Sequence, residues 1–496
     1  MLEEYRREYA DFHTAYMREY YLFLSGQKNN LRLGPIYDRY GDLFTRDSVT
    51  SLKQALDDAP GHFETERASL QRLFNVAVEQ FLENSVKGLT EQISEYEAAA
   101  TIKVTGHEMT FQDTAVAVSS EPGHKKRRAI YEKRLAVIEA SNDLRAERLT
   151  GLHGTARSLG YASYTALFEE LRRLDYETIK RDSATLLTRT ESAYIARLSE
   201  TLRRDLGIEL EEALRPDSIY FVHLTGFDRR FPAQRLLEVY DETMAGLGIR
   251  VEMQKNIFID KEPRPRKTSR AFCMPVSVPD DIKLVIRPVG GQSDYQALLH
   301  ESGHAQHYAW ASERLRPEFK YTGDYALTET YAFLFNHLIT DGAWLSNFLD
   351  FQDNREFIRS VMLARLLTVR RYAAKLMYEC ELHAGEDFAR SSDAYATFQT
   401  EATKFKTCAT EFLYDLDDSF YSASYLRAWA FEVALREYLK SRFGQHWWSS
   451  QRAGNFLKEI WETGDRYTAD EMASQIGIAP ITFEPLIDEL NQALKG

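Results

Sequence analysis

The chain has 496 residues and a formal net charge of −13, with 62 Lys and Arg against 75 Asp and Glu. That length allows two or more lobes around a large core, and that sign of charge argues against nucleic acid as a partner. No apolar run reaches the length of a membrane span, and the first twenty residues are charged throughout, without the apolar core of a signal peptide. Three widely separated cysteines, Cys273, Cys380 and Cys408, suit a reducing compartment, so a cytoplasmic location is expected.

In chain order, Tyr5, Tyr9, Phe12, Tyr16 and Tyr20 recur three or four apart, one stripe of a packed helix. Breaks at Gly34-Pro35 and Pro60-Gly61 precede a long helical pattern from about Glu64 to Ala98. Residues 102–118 are β-rich and predict a short hairpin at Thr105-Gly106. The basic run His124–Arg128 opens a further helix as a solvated face, and helical patterns continue over Tyr164–Leu174 and Tyr176–Leu206. Arg215-Pro216-Asp217 is the expected break between an N-terminal helical lobe, 1–215, and a catalytic lobe, 216–496, with the two lobes interleaving. Beyond it, Ile257–Ile259, Ala271–Val278 and Ile282–Ile286 predict a small sheet, with a turn at Pro279-Asp280-Asp281. From about Arg355 to Leu494 the pattern is again helical.

Between the sheet and that last region lies LLHESGHAQHY, with His300, Glu301 and His304 in the order H-E-x-x-H. Residues four apart share one helix face, so His300 and His304 can aim two imidazoles at one point. Glu301 projects beside them as a carboxylate base that does not ligate, the set that a hydrolytic zinc site needs. A third ligand is required. Glu329 lies twenty-five residues past His304, in YALTETYAFLFNHLI, an almost wholly apolar helical segment. A carboxylate there is costly to bury unless paired or bound to a metal. The alternative is an exposed residue or an ordinary ion pair. The reading is therefore a His₂Glu site for one Zn²⁺ per chain.

These motifs resemble the thimet oligopeptidase and oligopeptidase F family of zinc peptidases. HESGHAQH matches the family's H-E-x-G-H-x-x-H, including Gly303 and His307, and Glu329 sits at the spacing of its third ligand. RAFC, from Arg270 through Ala271 and Phe272 to Cys273, resembles the family's substrate-side strand, with Asp260 and Lys267 ahead of it. YSASYLRAWAFEV resembles the helix that supplies catalytic tyrosines, with Tyr421 and Tyr425 at the matching positions. The chain departs from the pattern before Tyr421. Leu416, Asp417, Asp418, Ser419 and Phe420 stand where the family has a His and paired glycines, and Ala428 stands near its third Tyr.

The resemblance implies a mainly α, two-lobed clam-shell with a deep channel, zinc on its floor, and a small antiparallel sheet beside the zinc helix. It implies a zinc metallopeptidase acting on short peptides, with Glu301 as base and Tyr421 or Tyr425 donating to the oxyanion; the tyrosines could equally be packing residues. His307 is expected to touch peptide or support the ligands. Arg427 is a candidate for a substrate carboxylate or for an ordinary salt bridge. Two other readings stand beside this one. The first is an exopeptidase on the same fold, a dipeptidyl carboxypeptidase or carboxypeptidase. The second is a non-catalytic zinc-containing binding protein, against which an intact Glu301 argues.

Overall fold

In the computed structural model, structure is described for residues 2–61, 64–104, 106–268, 271–385, 388–478 and 480–495, and for residue 389 by its backbone alone. Helices dominate. The aromatic stripe of the first segment forms the helix Leu2–Leu24, with Tyr9 and Phe12 buried in the core and Tyr5, Tyr16 and Tyr20 packed at its edge. The long patterns become the helices Glu64–Ala99, His124–Ser158 and Tyr176–Thr201, the last continuing as a π-helical turn over Leu202–Leu206. Starts follow cap chemistry. Ser163 Oγ accepts from Ala166 N at 3.0 Å and Asp175 Oδ1 from Thr178 N at 3.2 Å, each satisfying an orphan first-turn amide.

The expected hairpin exists but is shorter than its β-rich pattern. β1 (Thr101–Val104) and β2 (His107–Thr110) pair antiparallel; Thr105, between them, lies outside the described residues. From Phe111 the chain is helical to Ser120, because Thr110 caps it by accepting from Asp113 N at 3.1 Å.

The second sheet contains β3 (Ile257–Asp260), β4 (Phe272–Ser277) and β5 (Asp281–Val285), in the order β3-β5-β4. It differs from the antiparallel sheet expected. β4 and β5 are antiparallel, but β3 runs parallel to β5. β3 and β4 flank β5, joined by the connection 261–271, of which residues 269 and 270 lie outside the described residues. A buried ion pair holds this connection. Lys267 Nζ reaches Asp260 Oδ1 at 3.0 Å and the carbonyls of Asp260, Glu262 and Ile286 at 2.6, 3.1 and 3.0 Å. Burial raises the Asp260 carboxyl, but hydrogen bonds from Arg264, Lys267 and Tyr21 more than offset it and leave it below the usual range.

Two large hydrophobic clusters organise the chain. One joins residues 9–221 to buried side chains of Arg355–Ala384, Tyr421–Phe443 and Glu484–Lys495, including Leu376, Leu426 and Leu486. The other gathers 231–361 with 431–473, around Tyr295, Leu334, Trp344 and Trp461. At Arg215-Pro216-Asp217 the chain does not run free. It starts the helix Arg215–Phe221, and the wholly buried Asp217 pairs with Arg127 at 2.5 Å. Among the described residues no helix is long and apolar enough to cross a membrane.

Candidate metal centre

The H-E-x-x-H motif lies in the helix Gln292–Trp310, and Glu329 in the helix Tyr325–Asn336. The first helix buries Tyr295, Leu298, Leu299, Ser302, Gly303 and Gln306, which leaves His300, Glu301 and His304 on its half-exposed face. The second starts at Asp324, whose Oδ1 accepts from Ala326 N at 2.9 Å, and is buried from Ala326 to Phe335. Gly303 sets their approach. A Cβ at this position would lie 2.4 Å from Tyr331 O and 2.6 Å from Ala332 Cα, so only glycine lets the two backbones meet here.

That approach assembles the donors. One ligand atom from each of His300, His304 and Glu329 lies within 4.8 Å of the other two, the only such cluster of three among the described residues. His300 Nε2 is 3.4 Å from Glu329 Oε2, and His304 Nε2 is 3.6 Å from Glu329 Oε1. Tetrahedral zinc with ligands at about 2.0–2.1 Å separates its donors by about 3.3–3.4 Å, close to the 3.4 Å between His300 and Glu329 and a little under the 3.6 Å between His304 and Glu329. Glu329 Oε2 is buried and accepts no hydrogen bond among the described residues, an orphaned acceptor of the kind a cation satisfies. The residues present fit the group.

Supporting contacts orient the donors. His304 Nδ1 is 2.9 Å from Thr328 Oγ1, which leaves Nε2 facing the cluster. Tyr421 OH donates to Glu329 Oε1 at 2.6 Å. Burial raises the Glu329 carboxyl, but His304, His300 and Tyr421 outweigh it and hold the group at about 2. Burial lowers the His304 imidazole, which favours the neutral form a ligand needs. Glu301 stands apart from the three donors, and its Oε2 accepts from Cys273 N at 2.9 Å. Cys273 N–H therefore points away from β5, toward the side of β4 on which no strand pairs among the described residues.

The other expected residues fall as follows. Tyr421 and Tyr425 stack edge to face at 5.0 Å; Tyr425 also packs against Phe333 at 5.6 Å and Tyr372 at 4.8 Å. Both line a cavity of roughly 470 Å³ with Tyr325, Tyr372, Asp417, Asp418 and Ser419. Ala271 and Cys273 join the core beside the His300 helix, whereas Phe272 packs with Tyr21 under the first helix, on the sheet's other face. Arg270 lies outside the described residues. His307 is fully buried two turns past His300, its Nε2 3.2 Å from Gly464 O and its ring against Tyr331, so it faces neither the cluster nor the cavity. Arg427 takes the salt-bridge alternative: it is buried and bonded to Asp324 Oδ2 at 3.2 Å and to Asp470. Thr328 was not expected. Its only signal was its place next to Glu329, on a helix whose register against His304 could not be read.

No protein-family model and no curated protein sequence matches the chain. Solved structures do. PZ peptidase A with an inhibitor aligns over 98% of this chain and 91% of its own, at 16% identity and a TM-score of 0.69. A Bacillus anthracis strain Ames chain described as an oligoendopeptidase F aligns over 98% and 89%, at 15% identity and 0.66. A Chlamydophila abortus chain described as a peptidase aligns over 93% and 83%, at 15% identity and 0.62. The chain thus has the mainly helical, two-lobed clam-shell fold of the oligoendopeptidase F and PZ peptidase structures.

Proposed function

We propose that this protein is a zinc-dependent metallopeptidase that hydrolyses peptide bonds in short peptides, with His300, His304 and Glu329 holding the ion. The observation that carries the reading is the position of Glu301: beside a His₂Glu donor set, outside it, and oriented by the Cys273 amide. A structural metal site has no use for such a base. Zinc, when bound, supplies Lewis acidity toward a carbonyl and toward water.

The chain's own groups do the rest. Glu301 takes the proton of the attacking water and returns it to the leaving amine. Tyr421, with its hydroxyl already at the cluster, donates to the oxyanion. The open side of β4, with the Cys273 amide already held by Glu301, leaves the Cys273 carbonyl and the adjoining Ala271 backbone for an extended peptide, a main-chain recognition that does not depend on sequence. The tyrosine-lined cavity beside Tyr421 then takes an adjoining side chain. We read the two hydrophobic clusters as the cores of the interleaved lobes, roughly 1–215 and 216–496, with the cleavage site between them. Free Cys273, Cys380 and Cys408 are in keeping with work in the cytoplasm.

The test is incubation with a mixed peptide library, with and without chelator, read by mass spectrometry. Chelator-sensitive internal cuts are expected. Trimmed C-termini alone would replace the reading with a carboxypeptidase or dipeptidyl carboxypeptidase. No cuts at any zinc concentration would overturn it in favour of a binding protein.

A further inference from the structure

Tyr421 reaches Glu329 from an improbable piece of backbone. The turn before it places two successive non-glycine residues in the left-handed region, Ser419 at φ 60°, ψ 24° and Phe420 at φ 55°, ψ 41°. Side chains rarely adopt this conformation, and it persists only where the surroundings over-determine it. The turn reverses the chain into the helix Tyr421–Phe443, so any drift in it moves the Tyr421 hydroxyl directly.

Glu379 grips both ends of that turn. It lies in the helix Arg355–Ala384 with its side chain wholly buried. Its Oε1 accepts from Asp417 N at 2.9 Å, before the turn, and its Oε2 accepts from Ser422 Oγ, after it. Weaker ties assist. Ser419 N donates to Tyr164 OH at 3.2 Å, Arg148 reaches Asp418 Oδ2 at 2.8 Å, and Lys375 pairs with Asp417 Oδ2 at 2.8 Å. The Phe420 ring stacks on Tyr176 at 4.3 Å and meets His383 at 4.9 Å. Among the described residues, Glu379 alone bonds to both sides of the turn with one carboxylate. It touches none of the three metal donors, and the reaction has no direct use for it.

We propose that Glu379 is a positioning residue which, by holding Asp417 N and Ser422 Oγ together across the Ser419–Phe420 turn, sets the Tyr421 hydroxyl at the reaction centre. This rests on the reading of Tyr421 as an oxyanion donor. It gives this chain a clamped turn at the segment before the tyrosine helix.

The test is a set of double-mutant cycles. Glu379→Ala and Ser422→Ala, made singly in the full-length zinc-loaded enzyme, should lower kcat roughly ten- to a hundredfold with KM and zinc content little changed. Glu379→Gln, which keeps an acceptor for Asp417 N, should recover most of the loss. In a Tyr421→Phe background the same changes should cost less than about twofold more, because the group they position is gone. Hydrogen exchange at residues 417–422 should quicken in Glu379→Ala independently of activity. If that variant fails to fold, Ser422→Ala carries the cycle. Clamp effects of undiminished size in the Tyr421→Phe background would overturn the inference. So would unaltered turnover in both clamp variants while Tyr421→Phe is impaired. Wild-type turnover by Tyr421→Phe itself would remove the underlying role of Tyr421, and the inference with it.

Discussion

The Tyr421 hydroxyl donates to Glu329 Oε1 at 2.6 Å, the same oxygen that lies 3.6 Å from His304 Nε2. The phenol therefore stands beside the donor cluster, where the proposed reaction would develop its oxyanion. Tyr421→Phe keeps the ring's shape and removes the donor. At saturating zinc its kcat is expected to fall about a hundredfold or more with KM nearly unchanged. A loss confined to zinc affinity, with full kcat restored by excess zinc, would make Tyr421 a support for the ligand and nothing more. Tyr425→Phe should respond weakly, since its ring packs against Phe333, Tyr372 and Tyr421.

Glu301→Gln should retain the metal and lose hydrolysis by on the order of a thousandfold, because the base goes and no ligand is touched. Steady-state kinetics alongside elemental analysis checks both halves. Near-normal turnover would place the base elsewhere.

Purified protein should carry close to one zinc per chain, and Glu329→Ala should carry little after dialysis. The two imidazoles alone leave an incomplete donor set. Full zinc occupancy in Glu329→Ala, measured by mass spectrometry of the native protein, would refute the ligand assignment.

Gly303→Ala should be a metal-site mutant without altering a ligand. The added methyl would meet Tyr331 O and Ala332 Cα at 2.4 and 2.6 Å, so the two ligand helices must separate. Overpacking of this kind costs about 1–3 kcal/mol, here toward the upper end because backbone cannot rotate away. A lower unfolding temperature together with weaker zinc binding in a competition titration is the expected pair. An unchanged zinc affinity would show that the helices tolerate the shift.

Asp465 supplies a pH test at a group that is not one of the three metal donors. It is 4% exposed and its Oδ1 has no hydrogen-bond partner among the described residues. Burial pushes its carboxyl up to about 7, with Arg72 opposing and Asp324 adding to the rise. The unfolded value is about 3.9. Between those limits the folded state holds a proton that the unfolded chain has released, so raising the pH favours unfolding. The stabilising contribution is full below about 4 and is lost as pH climbs toward 7. Asp465→Asn keeps the shape without the titration. Its unfolding midpoint should lie near that of wild type at pH 4.5 and above it at pH 8, and equal pH profiles for the two proteins would contradict this.

Several features were legible because they depend on local geometry. The i, i+4 spacing puts His300 and His304 on one helix face wherever that helix packs, and the apolar run around Glu329 marks a carboxylate that burial must compensate. The aromatic stripe at the start and the long helices follow from period and capping alone. Hydrophobic periodicity, though, reports which face is buried and not what covers it. Residues near both ends of the chain therefore share one core with Arg355–Ala384, which no local pattern displays.

What remained hidden depends on partners distant in the chain. The amide that orients Glu301 belongs to Cys273, and the threonine beside His304 comes from the Glu329 helix. That β3 joins β5 in parallel was not visible in the local pattern, nor was the buried Lys267–Asp260 pair that ties the segment after β3 back to its last residue. Arg427 and His307 carry the chemistry of substrate-binding groups, yet Asp324, Asp470 and the Gly464 carbonyl occupy them. Side-chain type and spacing state what a residue can do. Only the packed structure decides whether its hydrogen bonds are already spent, because a buried donor or charge takes the partner that the fold brings nearest.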